Sequence, residues 1–195
     1  MKHSLHLFLF LLSLPLAAQD KSLPYYEIPN YPDAFTAGTV AARVIDGLGF
    51  RFYWATEGLR AEDLAFKPNA EARTSLETVA HIYELSIIIL NSTSKTPNVN
   101  GQDKKLPFAE MRKVTLENLK TASDRLKIST DQEMKECKVI FKGENGTTRE
   151  FPFWHQLNGP IADCLWHTGQ VVSFRRSSGN PFTEKVSVFS GTVVK

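Results

Sequence analysis

Near the C-terminus an aspartate and a histidine, Asp163 and His167, stand four residues apart within the stretch running from Asn158 to Gln170. In a helix this spacing puts both side chains on one face. Gln170 and Phe174 extend the same stripe, so three of its four members are polar. A carboxylate or imidazole buried without a partner loses its hydration, and a divalent cation that takes one donor from each would offset that loss. Far upstream, His81 is the polar exception beside Leu85 and Ile88 in the most apolar segment of the chain. Two helices side by side would bring His81, Asp163 and His167 together as a two-histidine, one-carboxylate metal set with coordination positions to spare. A buried Asp-His hydrogen bond, or two solvent-facing groups, explains the spacing equally well at this level. Glu77 and Glu84, four and three residues from His81, are placed to support it as outer acceptors or to form surface ion pairs. His155 is a further candidate ligand, on the same stripe only if the helix runs unbroken through Gly159 and Pro160. There is no phosphate-cradling glycine loop, no serine nucleophile setting and no pair of catalytic carboxylates.

The elements that would position these groups are mostly helical. From Asp33 to about residue 58, Val40, Val44, Leu48, Phe52 and Ala55 recur at helical spacing, with Gly47 and Gly49 allowing a close neighbour. Thr74 or Ser75 opens a second helix that runs to about Asn91 and is apolar around much of its circumference, which predicts a central position. The polar stretch 91–106 reads as a loop. A third helix from Pro107 to about Leu126 is more polar and reads as peripheral. Between 136 and 153 the period changes to that of a small β-hairpin with a glycine-bearing turn. A fourth helix starts near Trp154 or after Gly159, with Pro160 in its first turn, carries Ile161, Leu165, Trp166, Val171, Val172 and Phe174, and stops at Ser178-Gly179-Asn180-Pro181. In the tail, Val186, Val188 and Val193 suggest extended chain. The expected fold class is therefore all-α, a four-helix bundle with a small hairpin before its last helix.

The chain has 195 residues, 42% of them hydrophobic, which suits one globular domain. Its start, Met1-Lys2-His3 and then an apolar run from Leu5 to Leu16, reads as a secretory signal peptide over residues 1–18 with a small-residue cleavage site before Gln19. The run is short for a membrane span. An exported protein, periplasmic or extracellular, with no stable span after cleavage is the expectation. A Pro- and Tyr-rich segment, 19–35, would lie extended over the domain occupying 36–195. With 23 basic and 21 acidic residues, nucleic acid is not implied. The two cysteines, Cys137 and Cys164, would allow one disulfide, although a buried free thiol suits Cys164 better.

Taken together, Glu62-Asp63-Leu64-Ala65-Phe66-Lys67-Pro68-Asn69, Leu76-Glu77-Thr78-Val79-Ala80-His81, His167-Thr168-Gly169-Gln170 and Arg175-Arg176-Ser177-Ser178-Gly179-Asn180-Pro181 resemble the DinB/YfiT-like superfamily of metalloenzymes, over about residues 36 to 181. The resemblance implies a four-helix bundle of up-down-down-up topology and a metal held by one histidine on the second helix and two on the last. By position His81 matches the first ligand and His167 the last, while Asp163 stands where the family commonly has its middle histidine. A divalent cation is the implied cofactor, zinc or nickel first and manganese or iron next. The resemblance further implies a hydrolase or a thiol or group transferase acting on a small-molecule substrate, and export separates this chain from the cytosolic thiols used by family members. A non-catalytic exported binding or structural bundle with a stabilising metal site is the alternative. Bundles of this size commonly form homodimers, and no interface is legible in the sequence.

Overall fold

The computed structural model describes residues 23–99 and 106–194. The leader read at 1–18 lies outside the described residues. The protein is mostly helical with a small sheet. In chain order the elements are α1 (Ala37–Thr56), α2 (Ala61–Ala65), α3 (Ser75–Ser94), β1 (Asn98–Val99), α4 (Phe108–Lys127), α5 (Asp131–Glu136), β2 (Lys138–Lys142), β3 (Thr148–Pro152), α6 (Phe153–Gln156), a π turn (Leu157–Ile161), α7 (Ala162–Ser177), β4 (Val186–Ser187) and β5 (Thr192–Val193).

Helix starts follow local side-chain chemistry. Thr36, Thr74 and Thr130 cap α1, α3 and α5, and each completes a capping box with the residue three positions on, Thr39, Glu77 and Glu133. Long helices α1 and α3 do not face each other: α1 packs on α4 and α7, and α3 packs on the same two. The core between them is made by Ile45, Leu48, Phe52, Tyr53, Val79, Ile82, Ile89, Leu116, Leu119, Leu126, Ile161 and Cys164. Helix α4 is thus shared by both of its neighbours rather than peripheral. Its polar sequence misled because Arg112, Thr115 and Ser123 are buried with partners: Arg112 donates to Thr56 Oγ1 at 3.0 Å and to Glu57 Oε2 at 2.6 Å, and Ser123 donates to Asp46 Oδ1 at 2.6 Å.

The strands amend the all-α expectation. β2 and β3 pair antiparallel with Lys138 opposite Pro152 and Lys142 opposite Thr148, the hairpin read from the sequence. Gly146 takes φ 78° in its turn. The stretch read as pure loop adds a third strand: β1 pairs parallel to β2, with Asn98 donating from its side chain to the Ile140 carbonyl at 2.9 Å. β4 and β5 form a separate short ladder. On α1 the expected apolar positions Leu48, Phe52 and Ala55 are buried, while Val40 and Val44 are exposed and Ala41, Ala42 and Ile45 take their place on the buried face.

Of the segment read as extended over 19–35, residues 23–35 are described, and they run without helix or strand across α1. Tyr25 is buried, its ring lying where a Cβ on Gly49 would stand, and its hydroxyl donates to Asp46 Oδ1 at 3.0 Å. Burial and the neighbouring Asp46 carboxylate push this phenol far above its usual range. Lys127 holds the other oxygen of Asp46 at 2.9 Å. The strap is fixed further along by Trp54 Nε1 donating to the Tyr26 carbonyl and by Ile28 N–H donating to Gly191 O. Cys137 and Cys164 are both buried free thiols.

Candidate metal centre

Two elements bring the candidate ligands together. His81 is on the second turn of α3, and Asp163 and His167 are one turn apart at the start of α7. The helices are held against each other below the site by Ile82 and Cys164, whose thiol approaches the Ile82 carbonyl at 3.9 Å. Across this contact, one ligand atom from each of His81, Asp163 and His167 falls within 4.8 Å of the others. Among the described residues it is the one such group.

The two imidazoles present the same nitrogen. His81 Nε2 lies 3.4 Å from Asp163 Oδ2, and His167 Nε2 lies 3.3 Å from Asp163 Oδ1. The rings meet edge to face with centroids 4.8 Å apart. Each Nδ1 turns outward to an acceptor three residues along its own helix. His167 Nδ1–H donates to Gln170 Oε1 at 2.7 Å, which orients the ring with Nε2 toward the carboxylate. His81 Nδ1 faces Glu84 Oε2 at 3.7 Å, within ion-pair reach but beyond a hydrogen bond. Glu77, the other reading for a support of His81, spends its carboxylate on the α3 cap, accepting from Thr74 N–H at 2.7 Å and Thr74 Oγ1 at 2.9 Å. Those two bonds hold its carboxyl below the usual range.

The donor set fits a cation. Two imidazoles with Nε2 turned inward and a carboxylate with one oxygen toward each are three groups of the types that hold zinc, nickel, manganese or iron. Both Asp163 contacts are long for charged hydrogen bonds. The side chains are 27%, 40% and 15% exposed for His81, Asp163 and His167, so the carboxylate side opens to solvent. The group can therefore hold a metal ion.

His155 does not join. It is exposed on α6, its ring 5.3 Å from that of Phe151. Cys164 is next to Asp163 but faces the core, and burial pushes its thiol far above the usual range, so it supplies no thiolate. Phe174, the last member of the stripe, stacks at a tilt on Phe66 with centroids 5.8 Å apart.

At the far end of α7 the other two quoted motifs meet. Asp63 is fully buried and accepts from Arg60 Nε at 2.9 Å, Arg60 Nη2 at 2.9 Å, Arg60 N–H at 2.8 Å, Ser178 Oγ at 2.6 Å and Asn180 Nδ2 at 2.6 Å. Arg60 and the other donors hold its carboxyl far below the usual range. Arg175, also buried, caps the end of α1 by donating to the carbonyls of Trp54, Ala55 and Glu57 at 2.9, 3.1 and 2.9 Å. This node was not singled out as a site in the sequence, where Asp63 and Arg175 look like ordinary surface charges. Its one sequence signal is the co-occurrence of both motifs in one chain.

Comparison with protein-family models, with curated proteins and with solved structures gives no match. Among the described residues, no helix is long and apolar enough to cross a membrane.

Proposed function

We propose that the chain is an exported metal-dependent enzyme of the DinB/YfiT-like kind, a hydrolase or a thiol or group transferase, with one divalent cation held by His81, Asp163 and His167. The observation that carries this reading is the convergence of the three donors from α3 and α7 with both Nε2 atoms turned inward and the carboxylate side open. The fold component is an up-down-down-up four-helix bundle of α1, α3, α4 and α7. It is supported by the pairing of α1 and α3 each with α4 and α7, and by the quoted motifs.

In this reading His81 and His167 bind through neutral Nε2, and Gln170 keeps His167 in the tautomer that allows it. Asp163 contributes one negative charge, so a divalent cation keeps one positive charge in the site. A cation so held supplies Lewis-acid polarisation and lowers the pKa of a water or thiol at its open side. Glu84, half exposed beside His81, orients that ring and is placed to accept a proton at the rim. Zinc or nickel suits the two-nitrogen, one-oxygen set first, with manganese or iron next.

Metal analysis of protein purified without chelators and without nickel affinity resin tests the reading. The expected result is about one equivalent of a divalent metal per chain, lost in His81→Ala with the helical content retained. Well under one equivalent in the wild type, together with no change in metal content or stability in His81→Ala, overturns it. A hydrolase and a transferase are then separated by assaying ester, amide and halide model substrates with and without added thiol.

A further inference from the structure

Gln156 ends α6, and its side chain is fully buried with neither amide atom hydrogen-bonded. Counting on from it at ordinary helical spacing of four, three, four, three and four gives Pro160, Asp163, His167, Gln170 and Phe174. That is the ligand stripe itself. A straight α-helix from Phe153 to Ser177 would therefore carry Gln156 and the ligand stripe on one line, toward the core. The observed core-facing line is different: Gln156, then Ile161, Cys164, Thr168, Val171 and Arg175, all buried. The first step is five residues, and it spans the π turn Leu157–Ile161. One residue more than an α-turn holds rotates everything after it by about 100°.

The residues of the turn explain why it forms there. Pro160 has no N–H to give the Gln156 carbonyl, so the α-helical bond at that step is missing and the wider turn costs less than elsewhere. Gly159 has open space around its Cβ position and tolerates the bulge. Two unfavourable features, a proline inside a helix and an unpaired buried amide, thus stand within five residues and end directly before the ligand pair.

We infer that the π turn Leu157–Ile161 is the register device of the metal centre: its extra residue moves Asp163 and His167 off the core line to the half-exposed edge of α7 that faces His81. The extra residue, taken as Gly159, is a positioning residue in this sense, since it does not belong to the cluster. The inference rests on the metal reading proposed above, and its test separates the two.

The probe is Co²⁺ alone, titrated into the full chain without its leader and followed by visible absorption. Deletion of Gly159 removes the extra residue. It is expected to keep the helical circular dichroism and to weaken Co²⁺ binding about tenfold or more. In the deletion background Asp163→Ala should then weaken binding less than it does in the wild type, because Asp163 is the ligand nearest the turn. Pro160→Ala keeps the residue count and should bind Co²⁺ with wild-type affinity, and this arm stays readable if the deletion does not fold. Wild-type affinity in the folded deletion overturns the inference. So does a loss of affinity in Pro160→Ala, which would assign the effect to the proline and not to the register. A wild type that binds no Co²⁺ refutes the metal reading instead.

Discussion

Asp63 and Asp163 are two carboxylates near opposite ends of α7, and both belong to stretches that carry the family resemblance or the candidate ligands. Asp63 is fully buried and accepts five hydrogen bonds, two of them from one guanidinium side chain. Asp163 is 40% exposed and has two long contacts, each to an imidazole Nε2. The first has every lone-pair direction answered from within the protein and ties α2, α7 and the chain after it together. The second has, among the described residues, only these two long contacts, with the two imidazoles gathered around a common point. The difference teaches that completeness of coordination, and not burial or charge, separates a structural carboxylate from one available for a ligand.

The largest effect that sharpens the contrast is on folding. Asp63→Ala leaves Arg60, Ser178 and Asn180 without their acceptor and should lower stability by about 3 kcal/mol or more, read by urea unfolding, with Co²⁺ affinity unchanged. A comparable loss of metal affinity in this variant would break the separation between the two ends. Asp163→Ala should do the reverse. It is expected to cost more than the roughly 10–100-fold in metal affinity typical of an outer partner, while stability without metal changes by less than about 0.5 kcal/mol.

Acid sharpens the same comparison. Because the folded Asp63 carboxyl lies below its unfolded value, its contribution is complete above the unfolded pKa, about 3.9, and is lost as pH falls through that value toward the folded one. Wild type and Asp63→Asn should therefore differ most in urea midpoint at neutral pH and converge below about pH 4. A gap that stays constant from pH 7 to pH 3 would show that the Asp63 charge is not what the node recognises.

Gln170→Ala should weaken metal binding by about tenfold, since it removes the acceptor that fixes the His167 tautomer, and leave unfolding unaffected. The smallest expected effect is a gain. Gln156→Met replaces an unpaired buried amide by an apolar chain of similar length and should raise stability by about 1 kcal/mol, measured by urea unfolding. A loss there would mean that the amide has a partner at work in solution.

The helices α1, α3 and α4, the hairpin and the Thr74 cap were legible because each follows from local signals: capping residues, period and turn glycines. The membership of His81, Asp163 and His167 in one cluster was legible as a proposal from spacing and resemblance. What misled was local too. Trp166, one of the apolar residues of the last helix, is 73% exposed, because the buried line of α7 runs through Cys164, Thr168, Val171 and Arg175 on the opposite side. Strand β1 was read as loop because two residues carry no pattern of their own and are recruited by the edge of β2. Helix α4 reads as peripheral because a sequence does not show that Arg112 and Ser123 find partners on α1.

By itself the sequence determined the long helical segments, and that two histidines and an aspartate are candidate donors, since these depend on neighbours within a few residues, while the short α2 and α5 were not read as helices. Only the tertiary structure decided that α3 and α7 bring those donors within 4.8 Å, that Gln170 and Glu84 stand behind the two imidazoles, and that Glu77 and His155 are elsewhere. The reason is that rotation of a helix about its axis is set by what it buries. For α7 that rotation depends on one extra residue in a turn whose consequence is felt only when Ile161, Cys164, Thr168, Val171 and Arg175 close on the core.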